Sequence, residues 1–153
     1  MGASREPAAH PTLGRVGRAA LTASVISALA NVALGSALRN GLGINPSFEP
    51  LTPAAVVIFT VAFTLVGGAV FAVMARRGRA DAVRRFTIVA AVVAIVSLAA
   101  PLSLLGASET QWPGVSPTAA FALMPLHVVA AIVLVVTIRG SFPFEAHGRL
   151  RGR

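Results

Sequence analysis

No cysteine occurs among the 153 residues, and lysine is missing as well, all thirteen basic residues being arginine. The first absence excludes disulfide exchange, thiolate catalysis and cysteine-held metals or clusters together, and with them the small four-helix membrane thiol oxidoreductases. Charge is scarce: 12% of residues carry it, against about a quarter in a soluble domain, while 56% are hydrophobic. What charge there is avoids four long runs, residues 19–38, 50–75, 86–108 and 110–138. None of them holds an Asp or Glu, which removes the buried carboxylate that proton-coupled export usually needs. Only one histidine, His127, lies inside a run, one short of the axial pair of a haem b, and no H-E-x-x-H pattern is present to hold a catalytic metal.

What remains is apolar length. Each run reaches 20 residues, and about 20 helical residues at about 1.5 Å rise cross a hydrocarbon core of about 30 Å. Helix is expected over strand because a lipid-exposed segment must satisfy its own backbone, and none of the runs alternates as a barrel strand would. A soluble four-helix bundle would need a charged stripe on every helix, and there is none. The expected fold is therefore all-α: an antiparallel bundle of four transmembrane helices spanning about 18–38, 53–75, 86–107 and 117–138. Residues 1–16 read as a disordered cytoplasmic tail, 17–139 as the transmembrane domain, and 140–153 as a basic cytoplasmic tail.

A net charge of +8 on a soluble domain would point to nucleic acid. Here it has a topological explanation and no nucleic-acid partner is expected. Arg5, Arg15 and Arg18 precede the first run; Arg76, Arg77, Arg79, Arg84 and Arg85 cluster between the second and third; Arg139, Arg149, Arg151 and Arg153 follow the fourth. Only Arg39 lies on the other side. By the positive-inside rule both termini and the middle link are cytoplasmic, in the inner membrane, and so lopsided a distribution argues against dual topology. Ala28-Leu29-Ala30 imitates a signal-peptidase site, but the apolar run continues through Leu38, so the segment reads as an uncleaved anchor. Trp112, between the third and fourth spans, sits where an interfacial anchor belongs.

Helices in lipid gain nothing by burying leucine on leucine; they associate through small residues and through polar side chains that bond across. One such stripe marks each run: Ala20, Ser24, Ser27, Asn31 and Gly35 in the first; Thr60, Thr64, Gly67 and Gly68 in the second; Thr87, Ala90, Ala94, Ser97 and Pro101 in the third; Ala120, Met124, His127, Ala131 and Leu134 in the fourth. Pro101 and Pro125 should kink their helices and free the carbonyls of Ser97 and Phe121 for other donors.

An intramembrane ionisable group is a functional-site candidate by default, and His127 is the only one. With Asn31, Thr60, Thr64 and Ser97 it forms the candidate ligand-binding set, a polar patch expected to open outward beneath Phe48 and Glu49. Each member also has a purely structural use: Asn31 and His127 can bond helices together, and a Thr or Ser hydroxyl commonly donates to the carbonyl one turn back. Ser97 with His127 could pair a nucleophile with a base, but Ser97 lies on a plain helix without an elbow or oxyanion motif.

Asn31, the 46–53 loop with Phe48 and Leu51, Arg76-Arg77, the 97–101 segment, and Met124 through His127 leading into Val128-Val129-Ala130-Ala131 give the chain a resemblance to a family of small four-helix actinobacterial membrane proteins, a domain of unknown function. The resemblance covers nearly all of residues 15–139 and implies the architecture but no activity. The function read from these residues is a non-enzymatic binding or accessory protein, with no catalytic residue, metal or cofactor. Its expected partners are the bilayer and a partner protein, a second copy or a small apolar ligand. The alternative is a small transporter or permeation subunit using His127 as a pH-sensitive group.

Overall fold

Four uncharged segments fold as helices because, out of water, a helix alone pairs every backbone group within the segment. A computed structural model of the chain describes residues 12–77 and 81–142. It contains α1 (Leu13–Gly41), α2 (Pro53–Arg76), α3 (Ala82–Ser97), α4 (Ala99–Ser103) and α5 (Pro117–Ser141), with short 3-10 turns at Glu49–Leu51 and Leu104–Gly106. The helices α3 and α4, with the turn after them, form one span over Ala82–Gly106. Four spans long and apolar enough to cross a membrane result among the described residues, with no strand. The chain is a multi-pass membrane protein.

Two spans begin alike. Thr52 Oγ1 accepts from Ala55 N at 3.4 Å and Ser116 Oγ accepts from Ala119 N at 3.1 Å, while Pro53 and Pro117 fill the first helical position, where a missing N–H costs nothing. The third span breaks at Leu98. Pro101 has no N–H for Ser97 and its ring crowds that carbonyl, so the chain tightens into a Leu98 N to Ile95 O bond of 3.2 Å before α4 resumes. By contrast α5 continues as one helix through Pro125.

The expected tail boundary is corrected: helix starts at Leu13, not after residue 16. Val16 explains the extension, since it is buried against Phe71, Phe86 and Ile138 and packing holds the extra turn in place. The third span likewise starts at Ala82, because Phe86 needs a helical turn before it to reach the same cluster. The rest of the expected tails, residues 1–11 and 143–153, lies outside the described residues.

The helix α1 is central, packed along α2 on one side and α5 on the other, while α3 rests on α2 and α5 without approaching α1. Two apolar clusters close the bundle. At the end bearing the first and last helical residues, Val16, Ala23, Phe71, Phe86, Leu134 and Ile138 pack together, with Phe71 and Phe86 edge to face at 5.3 Å. At the far end the 42–52 loop folds inward, so that Phe48 and Leu51 are buried against Val56, Ala119, Leu123 and Leu126. Gly114, at φ 74°, lets the second far loop lie on the first: a Cβ there would stand 2.9 Å from Phe48 N. Between the clusters lies a polar belt of Ser24, Ser27, Asn31, Thr60 and Thr64, all buried. Large apolar side chains point away from the bundle instead, Leu29 and Ile95 each being 69% exposed, as a lipid-facing surface requires.

The helices α1 and α2 approach closely at Gly68, where a Cβ would lie 2.5 Å from the Cβ of Ala20, an atom with no freedom to move aside. Gly14, on α1, has open space around it. Alanine is the better helix former by about 1 kcal/mol, so Gly14→Ala should raise or preserve the thermal midpoint of the detergent-solubilised protein. Gly68→Ala should lower it, overpacking of this kind costing about 1–3 kcal/mol. Circular dichroism melts of the two variants give the opposite signs if α1 and α2 meet as described.

Candidate functional site

Three of the five candidate residues, Asn31, Thr60 and Thr64, belong to the polar belt, and the structure brings all five to one cleft. Asn31 is 1% exposed on α1 and its carboxamide reaches between the two neighbouring helices. Its Nδ2 donates to Thr60 Oγ1 on α2 at 3.1 Å and to the carbonyl of Leu126 on α5 at 3.0 Å. One side chain thus ties three helices. Its Oδ1 has no hydrogen-bond partner among the described residues and is buried, as is Ser27 Oγ one turn earlier.

Thr64, one turn along from Thr60, meets Ser24 Oγ at 2.7 Å and can give its hydrogen to the carbonyl of Thr60 at 2.8 Å; Ser24 in turn lies 2.9 Å from the carbonyl of Ala20. This pair couples α1 to α2 a second time. Ser97 Oγ donates to the carbonyl of Ala94 at 2.7 Å, and His127 Nδ1 lies 3.0 Å from the carbonyl of Leu123. These two polar groups serve their own helices and do not bond to each other. The freed carbonyl of Phe121 was expected to attract a donor near Pro125; the donors that are there go to Leu123 and Leu126 instead, because both carbonyls face the bundle while Phe121 is exposed.

The cleft itself is made by how α3 is held. Phe86 is the only buried residue of α3, and Pro101 is the only one of α4. These two anchors, one in each half of the third span, fix it to the bundle. Between them Ala90, Ala94 and Ser97 face Gly67 on α2 and Ala130 and Ala131 on α5, small residues on both sides that leave a gap of about 230 Å³. Phe59, Phe63, Val66, Val89 and Val93 form its apolar walls, Asn31, Thr60 and Thr64 its floor, and His127 one flank with Phe63 edge-on at 6.3 Å. From Phe86 to Ser97 the cleft extends about 16 Å, at about 1.5 Å per helical residue, roughly half a hydrocarbon core.

The expected outward opening is corrected. No residue of the 42–52 loop lines the cleft; Phe48 and Leu51 seal the far end, and the mouth faces sideways past half-exposed side chains such as Phe63 and Val93. The third span is accordingly the least buried, 6% of its most apolar stretch against 28% in each of the others.

The predicted stripe of α1 is buried in every residue and that of α2 in all but Gly67, whereas in the third span only Pro101 of the stripe is buried. On α5 the expected Ala120 and Leu134 are buried, but Ala119, Ala122, Leu123 and Leu126 are buried beside them, and His127 lines the cleft. Sequence reasoning missed the carbonyl of Leu126 as a site group, since every residue has one and only the reach of Asn31 selects it. The Ser24 partnership with Thr64 had a signal, both lying on inward stripes at matching depth.

Among the described residues no group of three or more His, Asp or Glu could hold a metal, and no serine bonds to a base. The arrangement supports binding by shape, apolar contact and one buried amide. The family model that matches the chain is that of a family of unknown function, DUF6069, over residues 7–143. No curated protein and no solved structure matches.

The hydrogen bonds of the Asn31 amide cross helices and that of the Ser97 hydroxyl does not, so their removal should differ. Each inter-helix bond in a membrane protein contributes about 0.6 and at most about 1.7 kcal/mol. Asn31→Leu should therefore lower unfolding free energy in bicelles by about 1–3 kcal/mol, and Ser97→Ala should leave it nearly unchanged. Equal effects would mean that the belt does not hold α1 to its neighbours.

Proposed function

The chain belongs to DUF6069, a family of unknown function, and we propose that it is a non-enzymatic membrane protein whose sideways cleft binds an apolar, chain-like molecule drawn from the bilayer. The observation that carries this is the gap beside α3, pinned open by Phe86 and Pro101 over a buried amide. Small facing residues ordinarily let helices close; here the two anchors prevent it. An apolar cavity of about 150 Å³ already accommodates benzene, so this one has room for a slim aliphatic body. Its mouth faces the lipid, so that a hydrophobic molecule enters without crossing water.

The permeation alternative draws less support. Apolar clusters close both ends of the bundle, and His127 stands on the flank of a lateral cleft instead of along an axial path.

The reading places both termini and the arginine-rich link between α2 and α3 in the cytoplasm, and the Phe48 and Trp112 loops outside. The arginine bias is its support. The cysteine-free chain makes the test direct. Thr110→Cys in intact spheroplasts should react with a membrane-impermeant maleimide, and Arg77→Cys only after permeabilisation. The reverse pattern would invert the topology.

For the cleft, native mass spectrometry of protein released gently from its membrane should find a bound mass distinct from the surrounding lipid. Ala94→Phe, which fills the gap from α3, should remove that mass while the protein stays folded. If the wild type carries only the lipid mixture of its membrane, and Ala94→Phe changes nothing, the cleft is ordinary lipid-facing surface and the proposal falls.

A further inference from the structure

A second apolar recess lies on the side of α2 turned away from the cleft and shares no residue with it. Where α1 and α2 come together at Ala20 and Gly68, a shallow groove of about 280 Å³ runs over their contact, walled by Leu13, Gly17 and Leu21 on α1 and by Leu65, Ala69 and Ala72 on α2. Gly17 keeps it open: a Cβ there would meet nothing within 4 Å. From Leu13 to Leu21 the groove is about 12 Å long, at about 1.5 Å per helical residue, close to half of a hydrocarbon core of about 30 Å. It therefore fits one chain of a lipid that belongs to a single leaflet.

The end of the groove at Leu13 and Ala72 is basic. Leu65, Ala69 and Ala72 recur at helical spacing on one face of α2, and the same face reaches Arg76 one turn later, exposed at the last position of the helix. Arg18 follows Gly17 on α1 and is exposed too. Arg15 is engaged elsewhere, its guanidinium 5.1 Å over the ring of Phe142. Among the described residues Asp81 is the only acidic one at that end, and it precedes α3, a helix that does not approach α1. An apolar groove one leaflet long, with cations at its head, matches a molecule with a tail and a negative headgroup.

We propose that the groove between α1 and α2 is a site for an anionic phospholipid, one acyl chain lying between Gly17 and Ala69 and the phosphate meeting Arg76 and Arg18. Guanidinium and phosphate form charge-assisted hydrogen bonds, and a headgroup with net negative charge neutralises the arginines as a zwitterionic one does not. The rival occupant is a second copy of the chain, since small residues also let the helices of two copies approach. Copies with the same orientation in the membrane would bring Arg76 and Arg18 of each toward those of the other, and like charges oppose that contact.

The test is native mass spectrometry of the detergent-solubilised full chain, titrated with dioleoyl phosphatidylglycerol or with dioleoyl phosphatidylcholine, which share their chains and differ in headgroup charge. The first phosphatidylglycerol should bind more tightly than the first phosphatidylcholine by about fivefold for each arginine it meets. Arg76→Gln should weaken it by about fivefold, while Arg85→Gln, the same loss of charge on α3, should leave it unchanged. Gly17→Leu places a side chain in open space, so the fold is kept, and should reduce the first phosphatidylglycerol to the affinity of the later, unspecific ones. Equal losses in Arg76→Gln and Arg85→Gln would mean attraction to the whole basic end, and equal affinity for the two lipids would mean ordinary solvation by lipid; either overturns the site. A lipid-free dimer that Gly17→Leu converts to monomer would overturn it as well and give the groove to a second copy.

Discussion

Because lipid is as apolar as leucine, nothing drives these helices together except close backbone approach and polar bonds that cross between them. Asn31 supplies the most connected of those bonds. From α1 it holds Thr60 on α2 and the backbone of α5 at once, so that the three best-packed spans share one buried amide. Gly68 against Ala20 brings α1 and α2 near enough for Ser24 and Thr64 to meet. Remove the amide or add a methyl group at the glycine, and the belt between the two apolar clusters loses the geometry on which its other contacts depend.

The third span follows a different rule. It shares none of the cross-helix side-chain hydrogen bonds among the described residues and is kept by two large contacts, Phe86 against Phe71 and Pro101 against the bundle. A helix held at two points by bulk, with small residues between, cannot collapse onto its neighbours without moving an anchor. The gap is thus a consequence of how α3 is fixed. The break at Leu98, forced by Pro101, lets the two halves of the span follow different lines past it.

Much of this could be read from the residues. The four spans follow from apolar length, and the inward face of α1 follows from Ala20, Ser24, Ser27, Asn31 and Gly35 at helical spacing, all of them buried. The five candidate residues do share one cleft. The direction of its mouth was not legible, since that depends on Phe48 and Leu51 folding inward from a loop, where no periodicity marks a side chain as buried. The burial of Leu123 and Leu126 on α5 was not legible either: both are lipid-compatible residues, and only Phe48 and Leu51 packing on them turns that side inward. Val16 extended α1 for the same reason, tertiary contact deciding what local sequence left open.

The same belt uses the two ends of the Asn31 carboxamide unequally. A carboxamide has two donor hydrogens and one acceptor oxygen. Fold assembly uses the nitrogen, whose partners lie on α2 and α5, and leaves the oxygen enclosed without a donor among the described residues. A serine or threonine bonding across, as Ser24 and Thr64 do, has one hydrogen to give and joins two helices. The two hydrogens of the Asn31 amide reach two neighbours at once, which is why a carboxamide and not a hydroxyl stands where α1, α2 and α5 meet.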